Sequence, residues 1–223
     1  MSLNLRNAGA APKQMSYKTM DPGSYPARLV HVLVLGMQTN RFDAEQEPAV
    51  MATFTYEFTD EFMLDEEGKE LKDKPRWLSE TIPLRNLKSE KANSTKRYKA
   101  FDPNGLHEGD LSKCIGAPVM VTIVVSPGKG KNLGRTFENV AGVTAMREKD
   151  AQKLVQLQNE PRVFDFYEPD VQVFNNLPEY TQGLIKGALD YPGSKLESLL
   201  GKPTTPAKKE TVKEEEDVEG NPY

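Results

Sequence analysis

Between Val50 and Thr59 the side chains alternate, with Ala52, Phe54, Tyr56 and Phe58 on one side and Met51, Thr53, Thr55 and Glu57 on the other. A period of two places one apolar face against a core and one polar face outward, which only a half-buried strand does. Further strands flank it. Ser24–Leu35 is β-branched and apolar, stops at Gly36, and reads as a strand covered on both faces. Trp77–Ile82 is a short strand with Leu78, Glu80 and Ile82 opposite Trp77, Ser79 and Thr81. An acidic loop, residues 60–75, precedes it. Pro118–Ser126 and Arg135–Met146 form a hairpin whose tip, Pro127 to Gly134, is rich in glycine and lysine.

One segment breaks the pattern. Leu87–Phe101 has no alternation, proline or glycine and predicts a helix that Asp102-Pro103-Asn104-Gly105 stops. The order strand, strand, strand, helix, strand, strand is that of the five-stranded OB-fold barrel, so a mainly β fold of this kind is expected over residues 21–146. Residues 1–20 read as a loose arm. Beyond Arg147, Ala151–Gln158 and Pro178–Leu189 look helical, with Val163, Phe164, Phe166, Tyr167 and Phe174 between them. Residues 147–201 are therefore expected to be an α-rich appendage that packs its aromatics on the barrel. Residues 202–223 carry almost nothing that packs and read as a disordered acidic tail.

Several function classes lack their residues. No apolar run approaches the roughly 18–20 residues of a membrane span, and no secretory signal is recognisable. Cys114 is the one cysteine and His31 and His107 the two histidines, too few for a zinc finger or ribbon, and a reducing cytoplasm is expected. The loop GKGKNLG lacks the Gly-Lys-Ser/Thr of a phosphate loop and leads into a strand. Neither Gly-x-Ser-x-Gly nor His-Glu-x-x-His occurs. His31, on an apolar strand, reads as a hydrogen-bonded core residue, and Cys114 as a small buried hydrophobe. Neither an enzyme, a cofactor nor a metal is expected.

Charge gives the positive signal. The chain's net −4 hides a basic stretch, residues 74–136, with twelve basic and five acidic side chains. Arg76, Arg85, Lys88, Lys91, Lys96, Arg97, Lys99, Lys129, Lys131 and Arg135 are interleaved with Trp77, Tyr98 and Phe137, and Tyr56 lies on the preceding strand. Cationic grooves with aromatic faces bind single-stranded nucleic acid, each stacked base contributing about 1–3 kcal/mol. Tyr56 and Phe137 alternate with apolar neighbours, for which the core is the commoner place; Trp77 shares its face with Ser79 and Thr81. The tail gathers Glu214, Glu215, Glu216, Asp217 and Glu219 before Tyr223, a polyanion with an aromatic end suited to contacting a partner.

The segments Gly23–Leu29, Phe54–Phe58, Ser79–Leu84, Asp110–Gly116 and Val119–Val125 resemble those of phage-encoded OB-fold single-stranded DNA-binding proteins with acidic tails. The resemblance implies coating and protection of single-stranded DNA during phage replication and recombination, in the cytoplasm of a bacterial host. It implies contact of the tail with replication proteins such as polymerase or helicase; in such proteins the tail often ends in phenylalanine, where this chain has Tyr223. Self-association is compatible with it. An RNA-binding or transcription-cofactor OB protein and a phage structural or assembly protein are the alternatives.

Overall fold

The computed structural model describes residues 18–39 and 47–201. Residues 1–17 of the expected arm 1–20 and the tail from 202 onward, including Glu214, Glu215, Glu216, Asp217, Glu219 and Tyr223, lie outside the described residues; the described end of that arm is not loose, since Met20 is buried in the core. The fold is mainly β: β1 (Gly23–Gln38), β2 (Ala49–Leu64), β3 (Glu70–Pro83), β4 (Pro118–Pro127), β5 (Thr136–Ala145) and the short β6 (Arg162–Phe164). The helices are α1 (Asn93–Phe101), α2 (Glu148–Ala151), α3 (Val171–Asn175), α4 (Glu179–Lys186) and α5 (Lys195–Leu200). None of them is long and apolar enough to cross a membrane.

The sheet path is β3-β2-β1-β4-β5, with β6 added to β1. β1 organises it. One edge pairs antiparallel with β2 from Ala27 to Gln38. The other pairs antiparallel with β4 over Gly23–Arg28 and then parallel with β6 over His31–Leu33. Among the described residues the ladder does not close. β3 and β5 approach within 8 Å between Cα atoms but share no backbone ladder. What joins them is a side-chain seam. Arg76 Nη2 of β3 lies 2.6 Å from Glu138 Oε2 of β5, both side chains nearly buried. The segment before β1 sits in the same seam: Arg76 Nη1 donates to the Lys18 carbonyl, and the Met20 amide donates to Glu138 Oε1.

The interior collects the alternating residues. Ala27 and Leu29 of β1, Phe54, Tyr56 and Phe58 of β2, and Val119, Val121 and Ile123 of β4 form one core. α1 caps it, with the Phe101 ring edge-on to Phe54 at 5.4 Å between centroids. Losing one such Phe costs about 3–5 kcal/mol. α1 is shorter than the sequence predicts. Residues 87–92 make turns instead, with the Lys88 amide bound to Asn86 Oδ1 and the Ser89 amide to the Asn86 carbonyl. Asn side chains offer the backbone this local alternative to a helix.

A second core joins the appendage to β1. Leu33 and Leu35 pack with Phe164, Phe166, Phe174, Ile185 and Leu196. Where β1 ends, Gly36 has φ +79°, and a Cβ there would meet Asp190 Oδ1 at 2.8 Å. Glycine thus permits both the left-handed turn and the close approach. Asp190 Oδ1 accepts from the Met37 amide, and the Leu189 amide donates to the Met37 carbonyl. The helices of the appendage lie elsewhere than the sequence suggests: of the expected helix Ala151–Gln158 only Ala151 is helical, as the last residue of α2, while α3 and α5 form outside the expected segments. The rest of Ala151–Gln158 runs as an irregular strap, for a reason visible at the site.

Candidate nucleic-acid interface

On the face of the sheet opposite the first core, β3 presents Trp77, Ser79, Thr81 and Pro83, none of them buried in the core, and Arg85 lies just past the strand end. The alternation that points Leu78 and Ile82 toward the core turns these residues outward. Cross-strand hydroxyl pairs lie beside them: Thr55–Ser79 at 2.8 Å and Thr53–Thr81 at 2.8 Å. Trp77 keeps 48% of its surface exposed. Its ring lies 5.3 Å from the His31 imidazole, tilted by 54°.

His31 is not in the core. A register shift between Leu29 and His31 sets His31 opposite Thr55 and returns Val32 to the core side opposite Phe54. One extra residue in a strand reverses the facing of every residue after it, so simple alternation misassigns this histidine. Burial and the nearby Arg162 hold its imidazole below the ordinary histidine range, against a hydrogen bond with the Glu160 backbone and the charge of Glu57.

The strap crosses this same face. Arg28 and Glu57 are cross-strand partners on β1 and β2, both buried. Arg28 donates to the carbonyls of Leu154, Val155 and Gly116. The Glu57 carboxylate accepts from the amides of Gln158 and Asn159 and from Asn159 Nδ2. Buried charges require such partners. These bonds engage the backbone groups that a helix would have used, which is why residues 154–159 are not helical. The strap ends beside the row containing Trp77 and His31.

The predicted basic and aromatic residues divide into two groups. Arg76 and Arg97 are buried in ion pairs, Arg76 with Glu138 and Arg97 with Glu80 at 2.7 Å. Tyr56 is fully buried and donates to Glu80 Oε1 at 2.6 Å. Burial, with the charge of Glu80, pushes its phenol well above the ordinary tyrosine value. Tyr98 is buried as well; its hydroxyl donates to Asp102 and accepts from the Gly109 amide, fixing the loop after α1. These four side chains hold the fold and present nothing to a ligand. Their charge or hydroxyl alone does not distinguish them in the sequence from their exposed neighbours.

The second group faces solvent: Trp77, Arg85, Lys88, Lys91, Lys96, Lys99, Lys129, Lys131, Arg135 and Phe137. Lys99 makes a loose surface pair with Glu90 at 3.4 Å. The three hairpin cations ride on a tight tip: the Gly128 amide donates to the Arg135 carbonyl, and a single turn runs over Gly130–Asn132. A Cβ at Gly128 would lie 2.0 Å from the Asn132 carbonyl oxygen, so only glycine fits there. Phe137 is 41% exposed on the outer side of the hairpin. Cys114 is buried, and burial with Asp102 and Asp110 nearby raises its thiol to about 11, a poor nucleophile. Among the described residues no group of three His, Cys, Asp or Glu side chains suits a metal ion.

No protein-family model, curated protein or solved structure matches this chain.

Proposed function

We propose that this chain is a non-enzymatic, sequence-tolerant single-stranded DNA-binding protein, and that its sheet is an OB-type barrel whose β3–β5 seam is closed by Arg76 and Glu138. The observation that carries the reading is Trp77, a large aromatic ring half-exposed on a polar strand face, with a run of cations beginning at Arg85. The Trp77 ring packs on one side against His31 and leaves about half its surface open beside small hydroxyl residues, a face on which a base can stack. The exposed lysines supply the phosphate contacts, and the order of the first five strands around one helix agrees with the barrel topology. The resemblance to phage-encoded single-stranded DNA-binding proteins extends the role to coating DNA in phage replication and recombination, with the acidic tail engaging a replication protein.

The test uses the chain's one tryptophan as its own reporter. Adding single-stranded oligothymidylate is expected to quench Trp77 fluorescence, and duplex of the same length to do so weakly. Apparent affinity is expected to fall with salt by about 0.7 log units per log unit for each phosphate contact. Equal response to duplex, or affinity independent of salt, defeats the proposal. A stronger response to oligouridylate selects the RNA-binding alternative.

A further inference from the structure

Four strands contribute to one row across the outer face. Ser79 of β3 is opposite Thr55 of β2, Thr55 is opposite His31 of β1, and His31 is opposite Arg162 of β6. At ordinary strand spacing the row spans about 14 Å, and Trp77 borders it. The first three positions belong to the barrel sheet; the fourth is delivered by the appendage, outside the basic stretch that marks the site in the sequence.

We propose that Arg162, with His31 beside it, is a phosphate subsite of this surface, so that the appendage supplies part of the nucleic-acid-binding face. The inference rests on the single-strand-binding reading above. Arg162 is partly exposed and makes no salt bridge among the described residues. Its Nη1 donates to the Asn176 carbonyl at 3.0 Å. A guanidinium carries five N–H donors, so that bond steadies the side chain and leaves other donors to point at an anion. Ser79 and Thr55 add no charge to the row. Of the nearby carboxylates, Glu57 is buried under the strap and satisfied by three bonds, which leaves Glu160 as the exposed counter-charge. A strand whose base stacks on Trp77 has its backbone run along this row, where Arg162 is the charged donor.

The experiment measures binding of labelled oligothymidylate by anisotropy, across salt, for the full chain and for Arg162→Gln and Arg162→Lys. The pH is held above the histidine range. Arg162→Gln is expected to reduce the salt slope by about 0.7, one phosphate contact. Arg162→Lys keeps the charge and is expected to restore the slope. If Arg162→Gln binds like the parent at every salt, or if Lys fails to restore the slope, Arg162 only clamps the Asn176 carbonyl and the subsite is wrong. If the unmodified chain does not bind single strands at all, the function proposed above falls and takes the subsite with it; binding by the parent with no change in Arg162→Gln overturns the subsite alone.

Discussion

Trp77 and Tyr56 lie on adjacent strands, two aromatics with opposite duties. Trp77→Ala removes a half-exposed ring and is expected to weaken single-strand binding by about 1–3 kcal/mol. Its effect on denaturant stability should be on the order of 1 kcal/mol or less. Tyr56→Phe reverses the pattern: it deletes the hydroxyl that contacts the buried Glu80–Arg97 pair, lowers stability by about 1–2 kcal/mol and leaves affinity unchanged. Denaturation and binding measured on both variants separate the two roles. His31 adds a pH dependence. Its imidazole titrates below the unfolded value, so the folded chain holds fewer protons than the unfolded one near the lower end of the histidine range. Its contribution to stability is therefore full above about pH 6.5 and declines as pH falls through that range. If a phosphate sits beside it, binding takes up a proton, and single-strand affinity rises over the same interval. The groups around it are Arg162, Glu57 and Glu160. His31→Gln is expected to flatten this contribution in both profiles, and an unchanged rise in affinity in that variant places the proton elsewhere.

Elements are legible in the sequence where one physical rule governs them. The strict alternation of β2 and the apolar run of β4 are visible because burial on one or both faces leaves no other choice. The acidic segment 60–75 is not. Most of it is strand, since Met63 pairs with Leu71 and Leu64 with Glu70, and the Lys72 ammonium sits 4.4 Å from the centre of the Phe62 ring. Carboxylates on the solvent side conceal a hairpin that its apolar side chains support. In the same way, the outward turn of His31 depends on a single irregularity in β1, and the burial of Arg76 and Arg97 on carboxylates far away in sequence. The hairpin tip is readable in composition, and its task is testable as a unit. Changing Lys129 and Lys131 together to Ala is expected to reduce the salt slope by about 1.4, two contacts, with little change in stability. An unchanged slope keeps the hairpin clear of the nucleic acid.

At the scale of the whole molecule, the appendage completes the sheet. β6 occupies the edge of β1 that β4 leaves, the second core includes Leu33 and Leu35, and the strap holds the charges of Arg28 and Glu57. A chain ending at residue 146 exposes those leucines and leaves two buried charges without most of their partners. Removing one partner of a buried ionic group costs about 3–5 kcal/mol, a large share of a domain's stability. Such a truncation is expected to lose cooperative unfolding and collect in the insoluble fraction. A soluble fragment with a sharp transition would instead show that the sheet of β1–β5 stands alone. The strap that satisfies Arg28 and Glu57 also borders the row with Trp77, so the proposed binding face depends on the same contacts as the fold.

The seam carries a different consequence, for encounters between copies of the chain. Among the described residues, β3 and β5 each have an edge without a ladder partner, and bare strand edges are templates on which a neighbouring molecule adds its own strand. Arg76 and Glu138 place opposite charges in the middle of that opening, and Lys18 and Met20 lie across it. An incoming strand must displace both, stranding a charge in a dry interior. An apolar pair at the same two positions packs as well or better by the usual outcome for buried ion pairs, yet it removes this guard. The seam thus favours separation of copies over maximal stability.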